Sequence, residues 1–331
     1  MSEVEVRDLS VEGIEAQLDQ LRDLNRIGPL REHTLKLNFR LDRNPEPMAG
    51  AVFAQAMLGI RQDIHFVVRF PEEHTMLRSL VRSGVASALA RRGEGVRWES
   101  GSDLLPLTQL WHTWTPGAHE AMAPMFEAKE SSESLFGPEH AVFVNPHLTS
   151  EPYGNASVTP LVRRWLTQMV IPGLNKADRD RYIAGPVFAV DQLVHNVREH
   201  AITPHNRALV DSVVVLEAHR MGTRRHLRIT VLDTGAGVFE TLRPKVFATH
   251  GGLDEAELLA ELLQGELPGW DRGRGFGLAT VADLVQRQPH ASLDLWTGAT
   301  RIRVDGEIQP RTAEAEVTGT VVNAIFPLPA S

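Results

Sequence analysis

Three short stretches carry side chains whose types and spacing suit chemistry. In Val190–Ala201, VDQLVHNVREHA, the residues Gln192, Asn196 and His200 recur every four positions and stack on one face of a helix. A neutral amide between two other hydrogen-bonding groups suits a site that holds a metal ion and phosphates. VLDTGAGV (231–238) reads as a strand that delivers Asp233 into a tight turn, where Gly235 and Gly237 let the backbone bend and approach a ligand. An ionised Asp233 only accepts hydrogen bonds, which fits an exocyclic amine such as adenine's N6. GRGFGLATVADLV (273–285) is a Gly-rich loop that opens a helix, and its N–H groups make a phosphate cradle. It lacks the Lys-Ser/Thr pair of a P-loop, and no strand immediately precedes it as in the dinucleotide fingerprint.

The elements that position these residues follow from periodicity. Val190, Val194, Val197 and Ala201 form an apolar stripe that seats their helix, expected over 176–202 after one at 160–171. Strands are expected at 212–218, 226–233, 291–296, 301–304 and 319–326, and helices at about 254–264 and 275–287. Upstream, a helix at 11–27, a strand at 34–41, a helix at 48–60, a strand at 65–70 and a helix at about 72–92 alternate. That alternation predicts a small α/β domain with at least one parallel strand pair. Residues 94–160 carry seven prolines and read as packed but irregular connection, with Trp111 and Trp114, like Trp165 further on, taken as core.

Composition sets the outer bounds. A chain of 331 residues with 42% hydrophobic content has room for about two domains. The net charge of −8, with no long basic run, gives no reason to expect a nucleic-acid partner. The absence of cysteine removes disulfides, thiolate nucleophiles and thiolate metal sites. No apolar run approaches the roughly 20 residues of a membrane span, and MSEVEVRDLSVEG lacks the parts of a signal peptide, so a cytoplasmic protein is expected.

The three stretches, in this order, resemble the ATP-binding domain of the GHKL family, which gyrase, histidine kinases and MutL share. VDQLVHNVREHA is similar to its N box, DTGAG to its G1 box, GRGFGL to its G2 box and TGTVVNAIFPL to its last strand. Asp233 follows Asn196 by 37 residues, and Gly273 follows Asp233 by a further 40. The resemblance covers residues 160–331 and implies a two-layer α/β sandwich of the Bergerat type. It implies that Asn196 holds Mg²⁺ against the phosphates of ATP with His200 nearby, and that Asp233 and Thr320 read adenine. Gly273, Arg274, Gly275, Gly277 and Leu278 would then line the phosphate end, with Gly235 and Gly237 at the turn and 238–272 as a lid. ATP-hydrolysing members place a glutamate four residues before the asparagine. This chain has Gln192 there, an amide that orients water but cannot take its proton. Asp191, one residue away, points about 100° elsewhere on the helix.

The resemblance implies an ATP-operated switch with weak or partner-dependent ATPase activity. The alternatives are an anti-sigma-type kinase that phosphorylates serine on a separate protein and a sensor that binds ATP without turning it over. A protein partner or a homodimer is expected. Residues 1–95, through the segment 34–92, resemble a STAS-type domain. DRNPEPMAGA (42–51) has no Ser or Thr at the expected phosphorylation position, which favours an interaction module, and 96–159 connect the two parts. HEAMAP (119–124) matches the phosphoacceptor box of histidine kinases, but Pro138, Pro146 and Pro152 interrupt the helical hairpin such a histidine needs. His195, Glu199 and His200 lack the H-E-x-x-H arrangement, so zinc is not expected.

Overall fold

The computed structural model describes residues 2–26, 33–60, 64–71, 96–98, 140–144, 158–171, 173–201, 210–240, 253–266 and 277–329, with seven positions between 76 and 89. The chain divides into two compact units, Met1–Glu127 with Ser131–Phe136, and Ala128–Glu130 with Gly137–Ser331. One is built on a parallel sheet and the other on an antiparallel sheet, so the protein is of mixed α/β class.

The first unit runs β1 (Ser2–Val6), α1 (Ile14–Arg26), β2 (His33–Phe39), α2 (Pro47–Leu58), β3 (Ile64–Arg69) and β4 (Val96–Trp98). All four strands are parallel, in the order β1-β2-β3-β4. Alternate residues of the strands are buried, with Val4 and Val6, Leu35 and Leu37, and Phe66 and Val68 inside. Two helices touch each other here. Ile14, Leu18 and Leu21 bury one stripe of α1. By contrast α2, opened by Pro47, is buried almost all round, as a helix of small apolar residues must be. Two elements were not anticipated. Glu-Val alternation in the acidic start makes β1, and β4 joins the sheet beyond residue 95. Most of the helix expected over 72–92 lies outside the described residues; within it Leu80, Val85, Ala88 and Leu89 are helical and fully buried.

The second unit comprises β5 (His140–Val144), α3 (Val158–Trp165), a π-helical turn (Leu166–Val170), α4 (Lys176–Asn196), a second π-helical turn (Val197–Ala201), β6 (Ser212–Met221), β7 (Arg224–Asp233), α5 (Glu255–Gln264), α6 (Gly277–Gln286), β8 (Ser292–Val304) and β9 (Ile308–Pro327). The strands form an antiparallel sheet in the order β5-β6-β7-β9-β8. α4 packs against β7, while α5 and α6 pack against β8, β9 and each other. α5 is fixed at both ends: Asp254 and Glu257 form a reciprocal capping box, and Gly265 closes it with φ 71°. Its Leu258, Leu259, Leu262 and Leu263 are buried, so this part of the expected lid is a packed helix.

Two expectations at the C-terminal end change. The strands expected at 291–296 and 301–304 are one strand, β8, whose register shifts around Thr297 and Gly298. β9 begins at Ile308, eleven residues before the expected start at 319, and pairs with β8 as an arm reaching beyond the Asp233–Thr320 row. Residues 140–144, placed by sequence in the connection, form the edge strand β5. No helix among the described residues is long and apolar enough to cross a membrane.

Candidate functional site

Asn175 starts α4 by accepting a hydrogen bond from the Asp178 N–H at 2.9 Å. The predicted stripe is buried: Val190, Val194, Val197 and Ala201 are between 0% and 8% exposed. After Asn196 the helix widens into the π turn, the kind of local expansion that recurs at functional sites. Its end is docked on the turn after β7. The Ala236 N–H donates to the Ala201 carbonyl at 3.2 Å, and a side chain on Gly235 would collide with Ala201. Only glycine fits there.

This arrangement brings Asn196 and His200 to one wall of a cavity with about 620 Å³ of empty space, part of it open to solvent. Asp233 and Thr320, paired across β7 and β9, form another wall with Gly237. The remaining lining is apolar: Leu193, Val197 and Ala201 from α4 and its π turn, Val231 and Val322 from the sheet, Val238, Leu278 from α6 and Leu262 from α5. An apolar slot with a few convergent polar groups is the general form of a small-molecule site.

Asp233 is the unusual group. It is 4% exposed, and burial pushes its carboxyl up to about 7, against the opposing pull of the Gly235 and Thr320 N–H groups. The Gly235 N–H donates to Asp233 Oδ1 at 2.8 Å. Near neutral pH this carboxyl therefore exchanges between an acceptor-only carboxylate and a neutral acid.

Asn196 sits against the start of α6. Its side-chain Nδ2 is buried and has no hydrogen-bond partner among the described residues. A Cβ built on Gly277 would lie 2.6 Å from Asn196 Oδ1 and 2.8 Å from Nδ2, so Gly277 leaves the room that the amide occupies. An amide with one polar atom unsatisfied, beside a helix N-terminus, fits a Mg²⁺–phosphate group: the oxygen suits the hard cation and the N–H₂ a phosphate oxygen. The described residues contain no cluster of three His, Cys, Asp or Glu. A magnesium ion held by one side chain and substrate phosphates needs none.

The other sequence candidates divide. Gln192 is half-buried on the α-helical part of α4 and is not among the described residues lining the cavity. Asp191 is exposed and accepts a hydrogen bond from Thr159 Oγ1 at 2.8 Å, so it does point elsewhere. Glu199 is exposed and pairs with Arg198 at 3.1 Å, away from the lining. Gly273, Arg274 and Gly275, like His119 in HEAMAP, lie outside the described residues. Gly277 and Leu278 open α6 at the cavity.

Sequence reasoning gave no site role to Leu193, Val231, Val322, Thr297 or Gly319, and had Leu262 only as part of the expected lid. Gly319 adopts φ +90°, and a Cβ on it would stand 2.9 Å from both Asp233 Oδ1 and the Gly235 nitrogen. A Gly-Thr pair opposite an Asp-Thr-Gly turn is the only sequence signal that pointed there. Comparison with protein-family models and with curated proteins gives no match to the chain.

Proposed function

We propose that the second unit binds MgATP and acts as a nucleotide-operated switch with little turnover of its own. One observation carries the reading. A single cavity gathers Asn196 and His200 from one helix, the buried Asp233 and Thr320 from neighbouring strands, and the first turn of α6. In this reading the apolar walls take the flat purine ring, and the Asp233 carboxylate accepts a hydrogen bond from its exocyclic amine. Asn196 holds Mg²⁺ at the start of α6, and His200 stands beside the phosphates. Bound Mg²⁺ supplies charge neutralisation across the phosphate oxygens. The sheet with helices α4, α5 and α6 then serves as a two-layer sandwich of the Bergerat type. The parallel unit, STAS-like by sequence, serves as the module for a protein partner or a second copy. A cytoplasmic setting follows from the ligand.

Low turnover follows from the residues present. Water must lose a proton as it attacks the terminal phosphate, and a positioned base contributes about 10²–10⁴ in rate. Among the described residues near Asn196, Gln192 cannot take a proton, Asp191 is engaged by Thr159, Glu199 pairs with Arg198, and His200 is given to the phosphates in this reading. The experiment is calorimetry of the full chain with MgATP, set beside separate measurement of released phosphate and protein-bound label. Wild type binds and releases phosphate slowly, and Asn196→Ala loses at least tenfold in affinity. Wild type that fails to bind ATP defeats the proposal, and rapid phosphate release defeats its low-turnover half.

A further inference from the structure

Thr297 on β8 is fully buried and is not among the residues lining the cavity, yet it ties together the two strands that present the polar wall. Its hydroxyl donates to the Gly319 carbonyl at 2.9 Å and accepts from the Val238 N–H at 3.1 Å. A hydroxyl has one proton to give, and Thr297 spends it on β9 while a lone pair receives the segment after the Asp233 turn. It stands where the β8–β9 register shifts, in the cross-strand row Thr297–Thr320–Asp233.

The consequence lies in one peptide unit. The Gly319 carbonyl and the Thr320 N–H belong to the same plane, so fixing the direction of one fixes the other. Thr297 holds the carbonyl side. On the opposite side the Thr320 N–H is one of the two backbone donors to the Asp233 carboxyl. Gly319 has no side chain to limit rotation of this plane, and its φ of +90° places it where only contacts hold it. Gly237, at φ +75°, closes the same knot: a Cβ there would stand 3.1 Å from Thr297 Oγ1 and 3.2 Å from the Gly319 oxygen.

We infer that Thr297 is a positioning residue for base recognition: through its hydroxyl it sets the Gly319–Thr320 peptide, and thereby the direction in which Asp233 and Thr320 meet an amine-bearing purine. The inference rests on the nucleotide reading above and adds selectivity to it. Asp233 supplies the acceptor, but an acceptor selects an amine over a carbonyl only when its direction is fixed. Thr297 supplies that direction without touching the ligand.

The test is titration of the full chain with MgATP and with MgITP, whose base carries an oxygen in place of the amine. Wild type prefers ATP. Thr297→Val keeps the side-chain shape and removes both hydrogen bonds. It lowers ATP affinity about tenfold, the scale of one buried hydrogen-bond network, and changes ITP affinity by less than about threefold, so the preference collapses. Thr297→Ser keeps the preference, and Thr297→Cys, a weak donor, falls between. The Thr, Ser, Cys order remains decisive should the valine variant fail to fold. A valine variant with wild-type ATP/ITP preference, or a serine variant as unselective as valine, overturns the inference while leaving the nucleotide reading intact. Wild type that binds neither nucleotide overturns the nucleotide reading and the role of Thr297 together.

Discussion

Gly277→Ala separates the site from the fold more cleanly than deletion of any polar residue. The added methyl would lie 2.6 Å from Asn196 Oδ1, 2.8 Å from Nδ2 and 3.0 Å from Cγ. The obstacle is thus the end of a short, rotatable side chain, which yields more easily than backbone. Asn196 turns away, at a cost of about 0.5–1.5 kcal/mol if it leaves its rotamer. Alanine in a helix returns up to about 1 kcal/mol over glycine, less in the first turn. The two nearly cancel, so stability changes little, and the melting temperature moves by no more than about 4 °C. Binding does not cancel. An Asn196 amide displaced from the start of α6 loses its metal and phosphate contacts, and MgATP affinity falls at least about tenfold, or 1.4 kcal/mol. Gly185→Ala is the matched control: it sits on α4, where the nearest atoms to its Cβ are the Gln288 Nε2 at 3.2 Å and Leu284 at 3.6 Å, away from the Asn196 side chain. That variant binds normally and is unchanged or slightly more stable. In an Asn196→Ala background the methyl at 277 finds its space open, so the helix gain is unopposed: the melting temperature rises by up to about 4 °C and residual affinity stays put. Calorimetry and thermal melts of the four variants read this out. Wild-type affinity in Gly277→Ala, or an equal further loss in the Asn196→Ala background, would refute the packing argument.

Three further outcomes follow from the same geometry. The Asp233 carboxyl sits at about 7; it accepts an amine hydrogen bond more strongly as a carboxylate, whereas its acid form also carries an O–H donor that suits a carbonyl oxygen. ATP affinity therefore falls as pH drops from 8 to 6, by up to about tenfold over that range, while ITP affinity rises; a flat ATP profile would falsify the role given to Asp233. The same group acts on stability with the opposite sense. A carboxyl raised from 3.8 to about 7 on folding contributes stability that is fully present below pH 3.8 and gone above 7, about 4 kcal/mol at 1.36 kcal/mol per pH unit. Urea unfolding should strengthen from pH 8 to 6 in wild type, and Asp233→Asn should lose that slope. Gln192→Glu places a proton acceptor one helical turn before Asn196, but position 192 is not among the described residues lining the cavity, so phosphate release stays within about threefold of wild type; a rise of about 10²-fold would show that this side chain reaches the attacking water. Asp254→Ala removes the capping box of α5 and costs about 1 kcal/mol, read as a melting shift of about 2–4 °C and faster amide exchange across Glu255–Gln264.

What the sequence revealed and what it hid divide along physical lines. The apolar stripe of α4, the Asp-Thr-Gly turn and the Gly-Leu start of α6 are local signals, and from them Val197, Ala201, Asp233, Gly237 and Leu278 come to one cavity. The four-residue spacing of Gln192, Asn196 and His200 predicted one shared face, and only part of that face reaches the cavity. Gln192, one α-helical turn before Asn196, stays off the described lining, while Asn196 and His200, the latter within the π turn, both reach it. No side-chain pattern announces such a turn, since it depends on how Ala201 docks against Gly235. β1 was hidden by its charges: Glu3 and Glu5 read as an acidic tail, although Val4 and Val6 between them are buried. The first half of β9, IQPRTAEAEVT, was hidden for the opposite reason. It pairs only with β8, so no run of apolar residues marks it. Thr297 could not be found at all, because its partners are backbone atoms 22 and 59 positions away.

The distribution of carboxylates among the described residues supports the proposed binding site over a hydrolytic one. Asp233 is the sole acidic residue among those described as lining the cavity, and it stands with Thr320 on the sheet, where two backbone N–H groups already hold it. Asp191 and Glu199, the carboxylates nearest Asn196 in sequence, are exposed and committed to Thr159 and Arg198. A carboxylate bound that way on the outer face would have to break its contact and cross the helix to reach a water near the Asn196 end. In the nucleotide reading proposed above, the residues around Asn196 hold charge and those around Asp233 select a base, with no further acid between them in the described lining. On that reading the cavity serves occupancy more than turnover. Its occupant touches α4, the sheet, α6 and Leu262 of α5 at once, so the free energy of binding is available to fix those elements against each other.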